Sequence, residues 1–441
     1  MKSHVLSGTE SLSAQTKEPA AHEIPAPMCF AQLFRMAFDG EDPTPLRNRI
    51  VARPRSGSVE TAADLMSLCT IYQLLGDQKA GLACQAEALG LHLLYRSSWP
   101  ASPAALRVLA FKAAGDFSTN TPIEFLLEGR DVVLYSLYVL PGRSIPRLPE
   151  HDIAIVTAGE SDRDRPVLEL MERLIRTSPC PVLNRPDRVL RLSREGMWRL
   201  LRAQGPCGAR TPACRVETRL DACPVAHLPG RTPACSSNDI PGLLMPETVR
   251  MSRTDIQSHT RFPIIARPVD SHAGRGLVKL ETAEAVDVYL TGRPDAEFFV
   301  SPYIDYRSLD GQFRKYRIVW VDGRPYPCHM AIADRWDVWY YNAGMAVSAG
   351  KRSEEEHFIT TFDTGFARRH APALAAIAER LGLEYVGIDC AELPGGRLLV
   401  FEGDISLVVH NLDPPDLYPY KSRPMKAIFA AFHDMLKRRS G

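Results

Sequence analysis

The stretch Tyr385-Val-Gly-Ile-Asp-Cys-Ala-Glu-Leu-Pro-Gly-Gly-Arg-Leu-Leu-Val-Phe-Glu-Gly-Asp404 decides how the rest of the chain is read. Two apolar runs flank Gly395-Gly396, a two-residue hairpin signal. With those glycines as the turn, Pro394 pairs with Arg397 and the register runs outward to put Asp389 opposite Glu402, roughly 4.5–5.5 Å apart at Cβ. Asp404 lies two residues on and shares the face of Glu402, because strands have period two. Three carboxylates on one face repel unless a cation sits among them. Hard oxygen donors suit Mg²⁺, with Mn²⁺ as the alternative ion. Taken alone, the hairpin reads equally well as a metal site and as a solvated edge.

A second element shifts that balance. Phe262-Pro-Ile-Ile-Ala-Arg-Pro268 reads as a strand with a basic end. Ser271-His-Ala-Gly-Arg-Gly276 and a further strand, Leu277–Leu280, follow it. Backbone N–H groups of such a loop can fold over phosphates, with Ser271, His272, Gly274 and Gly276 as candidates. Between the two elements, Phe298–Tyr306 reads as a strand. The next strand carries Arg314, Lys315 and Arg317, of which Lys315 and Arg317 share a face.

Upstream, residues 1–55 lack sustained periodicity and read as a largely disordered tail with a short apolar helix at Cys29–Phe38. Residues 56–100 carry helical spacing in two blocks split by Gly76-Asp77, an αα-hairpin that resembles one tetratricopeptide repeat. One repeat cannot bury its own faces, so it is expected to pack on the next domain. Residues 101–185 alternate strands (Leu106–Phe111, Asp131–Val139, Asp152–Val156) with helices, which argues for a small parallel sheet. Thr121-Pro-Ile-Glu124 reads as a capping-box helix start. Residues 204–240 fit no regular element and repeat Arg-Thr-Pro-Ala-Cys at 210–214 and 231–235, so they read as an insertion. Cys207, Cys214, Cys223 and Cys235 there are spaced more loosely than zinc ligands usually are.

Composition narrows the class. The 441 residues carry 53 Lys plus Arg against 52 Asp plus Glu, a net charge of +1. Such balance argues against a nucleic-acid footprint or a polybasic membrane patch. No run of 18 apolar residues suggests a transmembrane helix, and the first 30 residues lack the apolar core of a secretory signal. Ten cysteines are too sparse for a disulfide scaffold. Together these point to a reduced, cytoplasmic protein. Proline is in excess, 35 residues or about 8% against a typical ~5%, and gathers in the tail, the linkers and the insertion.

Basic strand end, glycine loop and distant carboxylate hairpin, in that order, resemble the ATP-grasp superfamily, most closely its RimK and glutathione synthetase branch. Asn184-Arg-Pro, Leu192–Leu201, Pro246-Glu-Thr248, Arg267-Pro268, Gly387-Ile-Asp389 and Phe401-Glu-Gly-Asp404 support the likeness over about residues 104–430. The resemblance implies an α/β (α+β) architecture. A Rossmann-like pre-ATP-grasp domain (101–185) would precede an ATP-grasp domain (186–441), with the helical hairpin in front. It also implies an ATP- and Mg²⁺-dependent, ADP-forming carboxylate–amine ligase working through an acyl phosphate.

In that reading Asp389, Glu402 and Asp404 hold the metal. Arg267 stands where relatives have a phosphate-binding lysine, and Arg194 or Arg199 replaces a missing helix lysine. Tyr303 lies on the strand contacting adenine, and Lys315 and Arg317 face the phosphates. His329, Asp334, Trp336, Trp339, Tyr340, His410 and Lys421 are candidates on the substrate side. Partners would be a small carboxylate and an amine, or a peptide docked on the N-terminal helices, with homo-oligomers common among relatives. A rival reading makes the chain an adaptor whose nucleotide module has lost catalysis.

Overall fold

The computed structural model describes residues 23–55, 57–202, 240–271 and 274–441. His272, nearly all of the 204–240 insertion and its four cysteines lie outside them. The described chain is a mixed α/β protein with three sheets.

The first sheet has the order β1-β3-β2-β4-β5, from β1 (Leu94–Arg96), β2 (Leu106–Lys112), β3 (Val132–Tyr138), β4 (Ile153–Val156) and β5 (Val182–Leu183). Strands β2 to β5 pair in parallel and β1 closes the edge in antiparallel fashion. A parallel sheet is covered on both faces, and β2 shows it by alternation. Its Leu109 and Phe111 join the core containing Leu65, Cys69, Ala88 and Leu89 of the helices Ser58–Leu74 and Gln78–Leu91. Val108 and Ala110 face the C-terminal helix Ser422–Arg439 through Ile428, Phe429 and Phe432. The two-helix hairpin therefore packs on the first sheet.

Within the stretch read as a tail, Phe30–Phe38 and Thr44–Val51 are helices. Leu33, Leu46 and Ile50 are buried against Leu68 and Ile71 of the hairpin. The apolar positions were too few for a periodic signal, and tertiary burial supplies what local spacing does not. The capping box at Thr121 does not form. The Thr121 hydroxyl donates instead to the Ile405 carbonyl (2.7 Å), and Glu124 takes Lys112 (2.5 Å). A long-range tie to the carboxylate strand wins over a local cap.

The second sheet is antiparallel, β7-β10-β8-β9, from β7 (Val249–Ser252), β8 (Ile264–Pro268), β9 (Val278–Leu280) and β10 (Glu297–Pro302). Ile264, Ala266, Phe298 and Val300 bury one face under the helices Arg253–Gln257 and Ala283–Leu290. Ile265, Arg267, Phe299 and Ser301 alternate with them and face a cavity.

The third sheet, β12-β11-β13-β14-β6, forms the opposite wall. It comprises β6 (Leu243–Leu244), β11 (Phe313–Val321), β12 (Arg324–Ala333), β13 (Tyr385–Glu392) and β14 (Leu398–Asp404). Buried Asn184, at φ +50°, clamps the start of β13. It donates to the Tyr385 carbonyl and accepts from the Glu384 and Tyr385 amides. Among the described residues no helix is long and apolar enough to cross a membrane.

Candidate active site

A single cavity of about 780 Å³ lies between the second and third sheets and reaches the first domain. Its third-sheet wall starts from the β13–β14 hairpin. Asp389 pairs with Glu402, as the spacing predicts, but by a different route. The turn spans three residues: Leu393 donates to Arg397 (2.9 Å), Gly396 donates back to Leu393 (2.7 Å), and Gly396 sits at φ +75°. That shifts the register by one, so Cys390 meets Val400. A bulge at Phe401 then adds the missing residue and restores Asp389 opposite Glu402. Because the bulge breaks the alternation, Leu399, Phe401, Glu402 and Asp404 all line the cavity.

Arg317 lies opposite Asp389 on the neighbouring strand, and His329 lies opposite Arg317. A row therefore crosses the sheet: His329, Arg317, Asp389, Glu402. Arg317 grips both Asp389 oxygens (2.8 and 3.1 Å), and Lys315 Nζ reaches Oδ2 at 2.9 Å. Burial alone would raise the Asp389 pKa; Arg317 and then Lys315 hold it well below the usual carboxylate range. Glu402 is also held below its ordinary value despite burial, chiefly by Arg194, whose guanidinium bonds it. Arg194 is thus the helix cation that enters the cavity, while Arg199 points away with its side chain 70% exposed. Burial, with Arg317 beside it, keeps His329 neutral.

Asp404 accepts from the Ser406 amide (2.9 Å) and hydroxyl (2.7 Å) where the strand ends. Among the described residues no three His, Cys, Asp or Glu side chains gather as a ready-made metal centre. The three carboxylates line one cavity, yet each is held by a protein group. Asp389 is buried, where an unpaired charge is costly, and the half-buried Glu402 and Asp404 likewise take the nearest donor. As hard oxygen donors facing each other across two strands, Asp389 and Glu402 fit a divalent ion such as Mg²⁺.

The opposite wall differs in kind. Arg267 is buried, and its hydrogen bonds go to the Ser271 hydroxyl (3.1 Å) and carbonyl. Burial first, and Arg194 second, pull its guanidinium down to about 9, so it stays cationic at neutral pH but strained. Gly274 and Gly276 follow at φ +73° and +69°, conformations that favour glycine. At Gly276 a Cβ would also meet Pro268 at 2.7 Å. Asp270 anchors the loop to the first domain by accepting from the Asp162 and Arg163 amides (2.9 and 3.1 Å). Arg250 braces this latch through Asp162 (2.5 and 2.7 Å). Sequence reading missed it, because nothing local links 162, 250 and 270. Tyr303 lines the cavity with Lys279 Nζ 4.0 Å from its ring centroid.

The substrate-side candidates divide. His329, Trp336, Trp339, Tyr340, His410 and Lys421 line the cavity, whereas Asp334 does not. Tyr340 and Lys421 belong to a buried network that sequence reading missed. Its centre is Glu355, which accepts from Tyr420 (2.7 Å), Tyr340 (3.0 Å) and the Met330 amide (3.1 Å) and pairs with Lys421 at 3.3 Å. Glu355 sits in a run of three glutamates that reads as a solvated face.

No family model matches the chain, and no curated protein matches it. Three solved structures resemble it in shape. A RimK-domain ATP-grasp protein from Sphaerobacter thermophilus has 16% identity and a TM-score of 0.39, covering 75% of this chain and 99% of that one. The VanG D-Ala:D-Ser ligase from Enterococcus faecalis has 12% identity and 0.41, over 76% and 100%. The D-alanine–D-alanine ligase from Coxiella burnetii has 10% identity and 0.42, over 76% and 96%. Likeness at this level carries no weight for function, which must come from the site.

Proposed function

We propose that the chain is an ATP- and Mg²⁺-dependent carboxylate–amine ligase of the ATP-grasp type, forming an amide and ADP through an acyl phosphate. One observation carries this reading. A buried cation with no carboxylate hydrogen-bond partner among the described residues, Arg267, faces a charged row of Arg317, Asp389 and Glu402 across one cavity. A strained cation beside a glycine loop suits an anionic phosphate chain. The apolar positions Ile265, Phe299, Leu399 and Phe401 beside it suit a flat base, with Tyr303 at the rim.

Asp389 and Glu402 would hold the Mg²⁺, which when bound would supply positive charge to neutralise that of the nucleotide's phosphates. Arg267 and the loop amides would orient the phosphates. Arg317 and Lys315 would stabilise the oxygens of the acyl phosphate, formed when the acid attacks the terminal phosphorus and the bond to ADP breaks. An amine would then attack the acyl carbon and expel phosphate.

Glu402→Gln keeps the shape and an acceptor for Arg194 but removes the charge. It should abolish acid-dependent ADP release without lowering the thermal midpoint. Full ADP release by that variant would remove the proposed metal role and, with it, this mechanism.

A further inference from the structure

The cavity end away from the glycine loop is built by a segment remote in sequence. Helix Phe30–Phe38 lies against the short helix Ile123–Leu126, where Phe34 meets Phe117 and Phe125 at centroid distances of 4.8 and 5.6 Å. Phe34, Phe38, Phe117 and Phe125 all line the cavity. His410 closes this wall, its ring 5.2 Å from Phe38 and 6.1 Å from Phe125. Burial keeps that ring neutral, and its Nδ1 accepts from the Leu412 amide. Two residues earlier, the Val408 carbonyl accepts from Arg317 Nη1 at 3.3 Å. The aromatic wall and the Arg317 guanidinium are therefore joined through residues 408–410.

Charge decides what faces the cavity there. Lys315 and Arg317 keep 17% and 16% of their side chains exposed, whereas Asp389 beneath them keeps 1%. Asp413 also lines the cavity but is paired with Lys421 at 3.2 Å, so a ligand at Arg317 meets the two cations first and aromatic rings next. A small polar acid would leave those rings facing water, and an ammonium group would meet like charge.

We propose that this end seats the body of the acid substrate, and that the acid carries an aromatic or bulky branched apolar side chain. Its carboxylate lies at Arg317, and its side chain lies among Phe34, Phe38 and His410. The N-terminal helix is thereby part of the substrate wall rather than a remote docking surface. The assignment rests on the ligase reading for the identity of the carboxylate as the reacting group.

The test pairs binding with trapping. Calorimetry with 3-phenylpropanoate and with acetate is run in the presence of Mg²⁺ and a non-hydrolysable ATP analogue. Hydroxylamine then serves as the amine with Mg-ATP: its nitrogen attacks the acyl carbon, the bond to phosphate breaks, phosphate leaves, and a proton goes to solvent. Expected is at least roughly tenfold tighter binding of 3-phenylpropanoate than of acetate, as burial of a ring predicts. Phe38→Ala should bring that ratio close to one, and Phe38→Trp should preserve it. Phe38 is 37% exposed, so neither variant threatens the fold. A ratio near one in the unmodified protein, or a ratio unmoved by Phe38→Ala, overturns the inference. A ring-dependent ratio with no hydroxamate or ADP from any acid keeps the apolar acid site and removes the ligase reading. Hydroxamate made equally well from both acids removes the apolar site and keeps the ligase.

Discussion

Arg267 and Arg317 face each other across the cavity, both arginines and both in strands, yet their surroundings are opposite. Burial lowers the pKa of each, but Asp389 more than reverses this for Arg317 and leaves it above the ordinary value. Among the described residues Arg267 hydrogen-bonds only Ser271, and although Glu402 acts to raise it, burial and Arg194 bring it down to about 9. A buried charge held by a carboxylate belongs to the fold; one held by a hydroxyl and a carbonyl retains unspent attraction for an anion. The difference separates a wall whose charges are already balanced within the chain, and which a ligand joins, from one whose cation is left for a ligand to balance.

The comparison breaks most visibly at Asp389. Asp389→Ala would leave Lys315 and Arg317 side by side on β11 without the carboxylate that both of them bond. Removing one partner of a buried ion pair costs about 3–5 kcal/mol, so urea unfolding should show a loss of that order. Asp389 lies well below the usual carboxylate range in the folded state, so the stability it gives is present above its unfolded pKa of ~3.9. That stability is lost as pH falls through and below that point. A loss under about 1 kcal/mol would make the row a solvated feature of the cavity rather than part of the fold.

A smaller effect is expected at Glu160, just beyond strand β4. Burial raises it to about 7 although Arg165 lies 2.9 Å away, because Asp162, Asp270 and Asp404 oppose its charge. Here the sign is reversed from Asp389. The folded state holds its proton more tightly, so stability is full below the unfolded value of 4.5 and falls as pH rises through about 7. At about 1.4 kcal/mol per unit over the roughly 2.5 units between 4.5 and about 7, the fall amounts to roughly 3–4 kcal/mol. Glu160→Gln should flatten the stability profile over that window, and an unchanged slope would assign the ionisation elsewhere.

The charged row was legible because strands have period two and because Gly395-Gly396 marks a turn. Asp389 faces Glu402 as the spacing predicts, although a three-residue turn and the Phe401 bulge each depart from the simple register by one and cancel. No local pattern announces a bulge, which depends on packing such as the Phe401 ring against Tyr306 at 5.1 Å. Arg194 could not be told from Arg199 without the helix's orientation. The aromatic wall was hidden for a stronger reason. Phe34 and Phe38 are more than 370 residues from His410, and it is the packing of their helix on Ser58–Leu74 and Ile123–Leu126 that brings them together. His272 falls outside the described residues.

The sharpest version of the comparison needs the smallest change in stability. Arg267→Met keeps the length and apolar stem of the side chain but removes a buried charge that no carboxylate grips. Burial disfavours the charged guanidinium, as its lowered pKa records, so its removal relieves a desolvation cost and a gain of about 1 kcal/mol in urea unfolding is expected, opposite in sign to Asp389→Ala. Nucleotide affinity should move the other way, with Mg-ATP binding by calorimetry weakened at least about tenfold as one charge-assisted contact of roughly 1.5–3 kcal/mol is lost. Arginine that is destabilising alone and favourable with an anion marks a site shaped for something outside the chain. Loss of stability in Arg267→Met with unchanged Mg-ATP affinity would show instead that Ser271 satisfies the guanidinium, and the contrast between the two walls would disappear.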